Sequence, residues 1–209
     1  MKIVQLIGGA LALALGASAG QASAGTLTTD FSTSNSGRSG LYFDLTGIHT
    51  ITIQDFVVNG EAGDWSVWYK AGAYAGSETN PAAWTLMGSG STSSFIDTLH
   101  VGGLTIGAGQ TFGIYVFDFG GGGNAGAQNY HDGVDTYSNA DLTFVGGVAN
   151  YGNYYGLGPF SNTLANRVWS GAIDYTVSGG VPEPQAWALM ILGLGAVGAA
   201  MRRRSAVAA

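Results

Sequence analysis

The feature that most constrains the fold is a two-residue alternation of side chains that recurs along the middle of the chain. Four runs show it, each rich in β-branched and aromatic residues: 48–53, 65–70, 112–117 and 169–177. Alternation with this period is typical of β-strands that bury one face, and clusters of Gly, Ser and Asn separate the runs. The sequence therefore predicts an all-β fold, and we expect a single two-sheet, jelly-roll-like β-sandwich.

Turn-forming residues predict the connections between these strands. Asn59-Gly60 and the nearby Gly63-Asp64 indicate a turn between two strands. Residues 120–124 are too rich in glycine for a strand and predict a flexible loop. Residues 150–159 combine Asn, Gly and Tyr, which predicts a polar loop with several aromatic rings.

The first 24 residues have the composition of a secretory signal peptide, whose hydrophobic part is expected to form a signal helix. Lys2 supplies the positive start, residues 3–15 are apolar, and Ala22-Ser23-Ala24 fits a small-residue cleavage site. We expect signal peptidase to cut after Ala24, so that the mature chain begins at Gly25. Cleavage after Ala19 is the weaker alternative.

A second apolar segment lies near the C-terminus. Pro182-Glu183-Pro184 is followed by an uncharged apolar run over 186–201 and then by Arg202, Arg203 and Arg204. As a helix this run would reach about 24 Å, slightly short of the ~30 Å hydrocarbon core of a bilayer. The arginines are expected to stay in the cytoplasm. We therefore predict a C-terminal transmembrane helix at about 186–201, with the preceding chain outside the inner membrane.

The C-terminal segment resembles the PEPxxWA form of the PEP-CTERM sorting signal of Gram-negative bacteria. The matching motif residues are Pro182, Glu183, Pro184, Trp187 and Ala188. The apolar run and the arginine cluster follow in the family's order, and only residues 205–209 depart from its usual pattern. The resemblance implies processing by an exosortase and a final place at the cell surface or in a biofilm or exopolysaccharide matrix. An ordinary single-pass anchor is the alternative.

These signals divide the chain into a signal peptide (1–24), a β-sandwich ectodomain (25–177), a Gly/Ser linker (178–181) and the sorting signal (182–209). The part between the two targeting segments has three basic and twelve acidic residues, a net charge of −9. Phosphate binding needs clustered Lys and Arg, so we expect no nucleic-acid partner. The absence of cysteine excludes thiol catalysis and Cys-ligated metal sites.

Carboxylates are the candidate catalytic groups. Glycoside hydrolysis needs two carboxyl groups roughly 5–9 Å apart, and no spacing in the sequence shows such a pair. Asp174 is expected on the solvated face of the last strand, and no G-x-S-x-G sequence occurs in the predicted ectodomain, residues 25–177. We therefore expect a non-enzymatic protein, with a polysaccharide-active enzyme as the remote alternative. The carboxylates considered are Asp118, Asp132, Asp135, Asp141 and Asp174.

No cofactor is expected, and calcium is the one metal for which the sequence offers ligands. Asp132 and Asp135 are the weak candidates, since Ca²⁺ takes six to eight oxygens. Further oxygen ligands nearby are Asp118, Asn124, Asn139 and Asp141. Asp and Asn also populate turns for local hydrogen bonding, which is the favoured explanation. His49 shares its alternation with Ile51 and Ile53, which predicts a packed or sheet-edge histidine.

Aromatic residues supply the candidate binding site. Trp65 is at an odd position and Trp68 at an even one, and odd and even residues of a strand point to opposite faces. Both therefore cannot face inward on one regular strand. Aromatic faces can stack on sugar rings, and Tyr/Asn/Gly loops suit adaptable polar binding. The hypothesis is a carbohydrate-binding module that uses Trp68, Tyr151, Tyr154 and Tyr155, and the favoured alternative is that these rings cap the core.

Overall fold

The computed structural model describes residues 22–31, 35–121, 125–178 and 190–194. Within these ranges the chain forms fourteen β-strands and two short 3₁₀ turns, Pro81–Ala83 and Asn153–Tyr155. In chain order the strands are β1 (Ser23–Thr28), β2 (Asn35–Arg38), β3 (Gly40–Gly47), β4 (Ile51–Asn59), β5 (Asp64–Ala71), β6 (Thr85–Ser91), β7 (Ile96–Leu99), β8 (Thr105–Ile106), β9 (Thr111–Gly120), β10 (Gln128–Asp132), β11 (Asp135–Ser138), β12 (Leu142–Asn150), β13 (Thr163–Trp169) and β14 (Gly171–Val177).

The strands pair into two antiparallel sheets, which confirms the predicted two-sheet β-sandwich. The five-stranded sheet has the order β1-β14-β4-β7, and β8 also pairs with β4. The nine-stranded sheet has the order β2-β10-β13-β12-β3-β9-β5-β6, and β11 also pairs with β12. The alternating runs of the sequence form strands inside the two sheets. A strand of one sheet that packs against the other sheet buries every second side chain, which gives the alternation.

The main core lies between the two sheets. Phe43 of β3 stacks on Trp169 of β13 with ring centroids 5.0 Å apart and packs against Phe144 of β12 at 4.7 Å. Leu, Ile and Val side chains of β3, β4, β9 and β14 fill the remaining space and are fully buried. Burying each such side chain contributes about 1.5–3 kcal/mol, so this layer provides most of the stability.

A second aromatic cluster covers the outer face of the nine-stranded sheet. Its buried members are Tyr42, Trp84, Tyr115 and Phe117. The connections β5–β6 and β12–β13 fold over these rings, so this face of the sheet is covered by loops instead of a third layer.

The run 169–177 was predicted as one strand, and that prediction is wrong at its first two residues. Trp169 ends β13 in the nine-stranded sheet, and Gly171 begins β14 in the five-stranded sheet. Ser170 makes the crossing: its hydroxyl accepts from Asn59 Nδ2 at 3.0 Å and donates to the Asp30 carbonyl at 2.7 Å. The chain therefore turns from one sheet into the other at a buried, hydrogen-bonded serine, and does not continue as a straight strand.

The run 48–53 also begins later than predicted. β4 starts at Ile51, and Ile48 and His49 are exposed in the connection from β3. The His49 Nδ1 atom lies 2.9 Å from Asp141 Oδ1, on a side chain that is more than half exposed. The prediction was a packed or sheet-edge histidine; the packed alternative is wrong, and His49 lies in the bend before β4, because the backbone turns before the alternation takes effect.

The chain enters and leaves the sandwich at the same end. Ser23 of β1 pairs with Val177 of β14, and the Ser178 amide donates to the Thr50 carbonyl at 2.8 Å. We call this the proximal end. The distal end is where β3 begins, β12 ends and β9 ends, since Gly40 pairs with both Asn150 and Phe117.

The predicted terminal helices lie almost wholly outside the described residues. Residues 190–194 are helical, and the large apolar side chains of this turn are more than half exposed. Within the described ranges, no helix is long and apolar enough to cross a membrane. At the other end, β1 begins at Ser23, so the expected cleavage bond after Ala24 falls inside this strand.

Candidate functional site

The tyrosine-rich loop after β12 is held at the distal end. Its 3₁₀ turn is fixed by two hydrogen bonds, from the Tyr154 amide to Ser39 Oγ at 2.9 Å and from Asn153 Nδ2 to the Phe119 carbonyl at 3.1 Å. Gly152 adopts φ 56°, and a Cβ there would lie 2.4 Å from that of Ser39. The tight approach to Ser39, between β2 and β3, explains why glycine precedes the turn.

This loop places two predicted binding residues, Tyr151 and Tyr155, against one arginine, and the third, Tyr154, against Tyr155. We call Arg38, Tyr130, Tyr151, Tyr154 and Tyr155 the arginine–tyrosine cluster. The Arg38 Cζ atom lies 5.0, 5.3 and 5.7 Å from the ring centroids of Tyr151, Tyr155 and Tyr130. Arg38 Nη1 also donates to the Tyr155 hydroxyl at 2.8 Å and to the Gly37 carbonyl at 2.8 Å. These contacts give the guanidinium one fixed orientation.

The outer rings of the cluster face solvent. Tyr154 and Tyr155 are each 51% exposed, with centroids 5.1 Å apart and planes at 69°. Tyr151 is half-buried beneath Tyr155 at 5.1 Å. Aromatic surfaces held in a fixed arrangement offer stacking area at low conformational cost.

Trp68 lies apart from this cluster, in the outer aromatic layer. Its ring packs among those of Tyr115, Phe117, Phe119 and Phe160 at centroid distances of 5.3–6.5 Å. Trp65 faces the main core, where its Nε1 donates to Thr92 Oγ1 at 2.9 Å. The prediction that the two tryptophans face opposite ways is confirmed.

Sequence reasoning missed a shallow depression beside Phe119 on the outer face of β5 and β6. Ser66 Oγ and Ser89 Oγ lie 2.6 Å apart, and Ser91 Oγ donates to Asp64 Oδ1 at 2.6 Å. Scattered serines carry no motif, and only the cross-strand register of β5 and β6 brings them opposite one another.

Asp118 is the most perturbed carboxylate. Its side chain is fully buried near the end of β9, and its Oδ1 accepts from the Gly120 amide at 2.7 Å. The Oδ2 atom has no partner among the described residues. The pKa of this carboxyl is raised to about 7, chiefly by burial; the amides of Gly120 and Ala127 oppose the rise, and the charge of Glu61 adds to it. The group lies inside the sandwich and away from solvent.

The other acidic candidates have individual partners. Asp135 Oδ2 lies 2.6 Å from His131 Nε2, and Asp132 Oδ1 lies 2.9 Å from Arg167 Nη1. Asp174 is half-buried and accepts from Thr26 Oγ1 at 2.5 Å. It pairs across β14 and β4 with Asp55 on the outer face of the five-stranded sheet. Asp55 and Asp174 come together only because β4 and β14 are neighbours in the sheet, and no pattern in the sequence indicates it.

The calcium hypothesis gains no assembled ligand set from the described part of the chain. No group of three His, Cys, Asp or Glu side chains there could hold a metal ion. Asn139 Oδ1 accepts from the amides of Asp141 and Leu142, both at 3.0 Å, which is a local turn. Asn124, another candidate ligand, lies outside the described residues.

Comparison with known proteins identifies the C-terminal segment. A model of the PEP-CTERM protein-sorting motif matches residues 180–204. None of the curated proteins compared matches the chain. The motif supports an exported protein of Gram-negative bacteria that undergoes membrane-associated sorting by an exosortase. Its defining residues, from Pro182 to Arg204, lie outside the described residues apart from 190–194.

Proposed function

We propose that this is an exported, non-enzymatic protein of the cell surface or extracellular matrix that contacts exopolysaccharide through its distal end. Signal peptidase and exosortase would process the two termini. The inner membrane would hold the C-terminal helix only until the tail is processed. The observation that carries the proposal is the position of the arginine–tyrosine cluster, at the end of the sandwich opposite Ser23 and Val177.

The distance between the proximal and distal ends sets how far the arginine–tyrosine cluster lies from the point of attachment. β3 runs from the distal to the proximal end over eight residues, a length of about 25 Å. A chain tethered beyond Val177 would therefore hold the cluster roughly one sandwich length away from its attachment. The exposed rings of Tyr154 and Tyr155 would then face the surroundings of the cell.

The absence of catalysis is supported by the environments of the carboxylates. Asp118 is enclosed, and Asp132, Asp135 and Asp174 each bond to a different neighbour. Asp55 and Asp174 oppose each other on an open sheet face, where water would reach any substrate. A glycosidase would need an acid pair within a cleft that binds the sugar ring.

Co-sedimentation of the full-length chain, in detergent, with exopolysaccharide from the host tests the proposal. The double variant Tyr154→Ala, Tyr155→Ala should lose most of the bound fraction. Phe95→Ala removes a ring of similar exposure from the connection between β6 and β7 and should bind like the wild type. Wild-type protein that stays in the supernatant would contradict the proposal, as would equal binding by the double variant.

A second candidate is a carbohydrate-binding module with one defined sugar ligand. It is favoured by the depression beside Phe119, where Asp64, Ser66, Ser89 and Ser91 offer hydroxyl and carboxylate groups next to an aromatic ring. A glycan array would distinguish the two candidates, because a defined module selects a few structures. A general matrix protein would bind weakly to many polymers of one chemical class.

A further inference from the structure

We infer that the arginine–tyrosine cluster binds acidic sugar units, the uronate residues of an exopolysaccharide. The inference rests on the proposed polysaccharide binding, and it adds the chemical class of sugar that this site takes. It is carried by the charge, the hydrogen bonds and the exposure of the cluster.

The charge of Arg38 is unmatched. No carboxylate of the described residues lies within salt-bridge distance of its guanidinium, whereas Arg167 Nη1 lies 2.9 Å from Asp132 Oδ1. Lys70 is at the proximal end, where its ammonium donates to the carbonyls of Ala71 and Ala73. In the described part of this strongly acidic domain, Arg38 at the distal end therefore has no carboxylate partner. Such a site attracts an anionic group and disfavours a cationic one.

The hydrogen bonds of Arg38 leave part of its guanidinium group without a partner among the described residues. Nη1 is occupied by Gly37 and Tyr155, but the buried Nε has no partner among the described residues. A buried donor without a partner costs about 1–3 kcal/mol. The Nη2 group is neither bonded to a described residue nor buried, so it is the part of the guanidinium that a carboxylate from solvent would meet, through a charge-assisted hydrogen bond.

The tyrosines supply the contact for the sugar ring itself. Tyr155 both bonds to Arg38 and exposes half of its surface, and Tyr154 stands beside it at 69°. A pyranose ring stacked on either face would lie next to the guanidinium. A uronate unit carries an apolar ring face and a carboxylate on the same residue, so it can satisfy both parts of the cluster at once. A neutral sugar satisfies only the rings.

The test compares polygalacturonate with the same polymer after chemical reduction of its carboxyl groups. The full-length chain in detergent is titrated with each polymer at about 0.15 M salt, where surface charges are screened beyond about 8 Å. Two variants with the same change in net charge are compared. Arg38→Gln alters the cluster, and Arg167→Gln removes the cation that is paired with Asp132 and lies 5.2 Å from the Tyr130 ring.

The wild type should bind the acidic polymer at least about tenfold more tightly than the reduced one, a difference of about 1.4 kcal/mol. Arg38→Gln should abolish that preference, and Arg167→Gln should keep it. Arg38→Lys, which retains the charge without the planar fork, should fall between them. If Arg38→Gln fails to fold, the salt dependence of wild-type binding serves instead: affinity for the acidic polymer alone should fall as salt rises.

Several results would overturn the inference. Equal wild-type binding to both polymers would leave polysaccharide binding intact and remove the uronate assignment. Equal losses in Arg38→Gln and Arg167→Gln would mean that general charge, and not this cluster, attracts the polymer. If the wild type binds neither polymer and also fails to sediment with host exopolysaccharide, both the inference and the proposed function are wrong.

Discussion

Tyr42 and Tyr115 stack face to face on the outer side of the nine-stranded sheet, with ring centroids 4.0 Å apart and planes 5° from parallel. They are register partners on β3 and β9, and both are fully buried. Their hydroxyls fix the two covering loops, because Tyr42 donates to the Glu78 carbonyl at 2.7 Å and Tyr115 accepts from the Phe160 amide at 3.3 Å. The outer aromatic layer thus ties the distal tyrosine loop to the centre of the sheet.

Removing the Tyr42 hydroxyl should loosen the β5–β6 connection. Tyr42→Phe keeps the stack but leaves the Glu78 carbonyl without its donor, so we expect the free energy of unfolding to fall by about 1 kcal/mol. Urea denaturation followed by tryptophan fluorescence measures the change. Tyr69→Phe is the control, since this half-buried ring packs against the main core and its hydroxyl has no partner among the described residues. Equal effects of the two substitutions would contradict the anchoring role.

The crossing between the sheets should not tolerate a side chain at Gly171. An added Cβ would lie 2.2 Å from the Trp169 ring, which is itself held in the core. We expect Gly171→Ala to lower the free energy of unfolding by about 2 kcal/mol or more. Gly158→Ala, in a loop where a Cβ meets nothing within 4 Å, should be neutral or slightly stabilising. A neutral Gly171→Ala variant would show that the corner is looser than described.

Asp118 should make the sandwich less stable as pH rises. Its pKa is about 7 in the folded state and 3.8 ordinarily, so the folded chain binds the extra proton between these values. The contribution of Asp118 to the free energy of unfolding therefore falls by up to roughly 4 kcal/mol between about pH 4 and about pH 7. Above that range it no longer changes with pH. Asp118→Asn mimics the protonated acid and should remove the slope, so that the variant exceeds the wild type at pH 8.

Asp97 provides a contrast of opposite sign for the same pH series. The amides of Ser93 and Thr98 donate to its carboxylate and lower its pKa. Its contribution is present above about pH 4 and is lost as pH falls through the depressed pKa. Asp97→Asn should therefore be less stable than the wild type at neutral pH, and the two stabilities should converge in acid.

The outcome that would contradict the Asp118 prediction is a dependence of stability on pH that Asp118→Asn leaves unchanged. It would show that the buried carboxyl of Asp118 titrates normally.

Trp68 should matter for stability more than for binding. Its ring is enclosed by Tyr115, Phe117, Phe119 and Phe160, so Trp68→Ala should cost about 3 kcal/mol of unfolding free energy. We expect polysaccharide co-sedimentation of the folded variant to stay within about twofold of the wild type. A stable variant with lost binding would place Trp68 in the site, as the sequence had suggested.

The sequence predicted the class of fold and the composition of the tyrosine-rich loop, and it did so through local patterns. Alternation located β9 and most of β4 and β5, and the Asn/Gly/Tyr composition located the loop after β12. The sheet change at Ser170 was not predictable, because the alternation continues through a residue at which the chain turns. Strand number and order depend on non-local pairing and have no local signature.

The position of Arg38 beside the tyrosines was likewise hidden in the sequence. It lies more than a hundred residues from Tyr151 and Tyr155, and only the pairing of β3 with β12 brings them together. The depression beside Phe119 and the opposition of Asp55 and Asp174 arise in the same way, from register between strands. The tyrosines themselves could be predicted because their spacing within one loop is local.

The most direct test of the account is the intact mass of the mature protein in cell-surface, medium and inner-membrane fractions, with and without the host's exosortase. We predict a chain that begins at Gly25, ends near Pro182–Pro184 and is found at the surface or in the medium only when the exosortase is present. A protein that retains residues 186–209 in the inner membrane of both strains would contradict the sorting that underlies the proposed function.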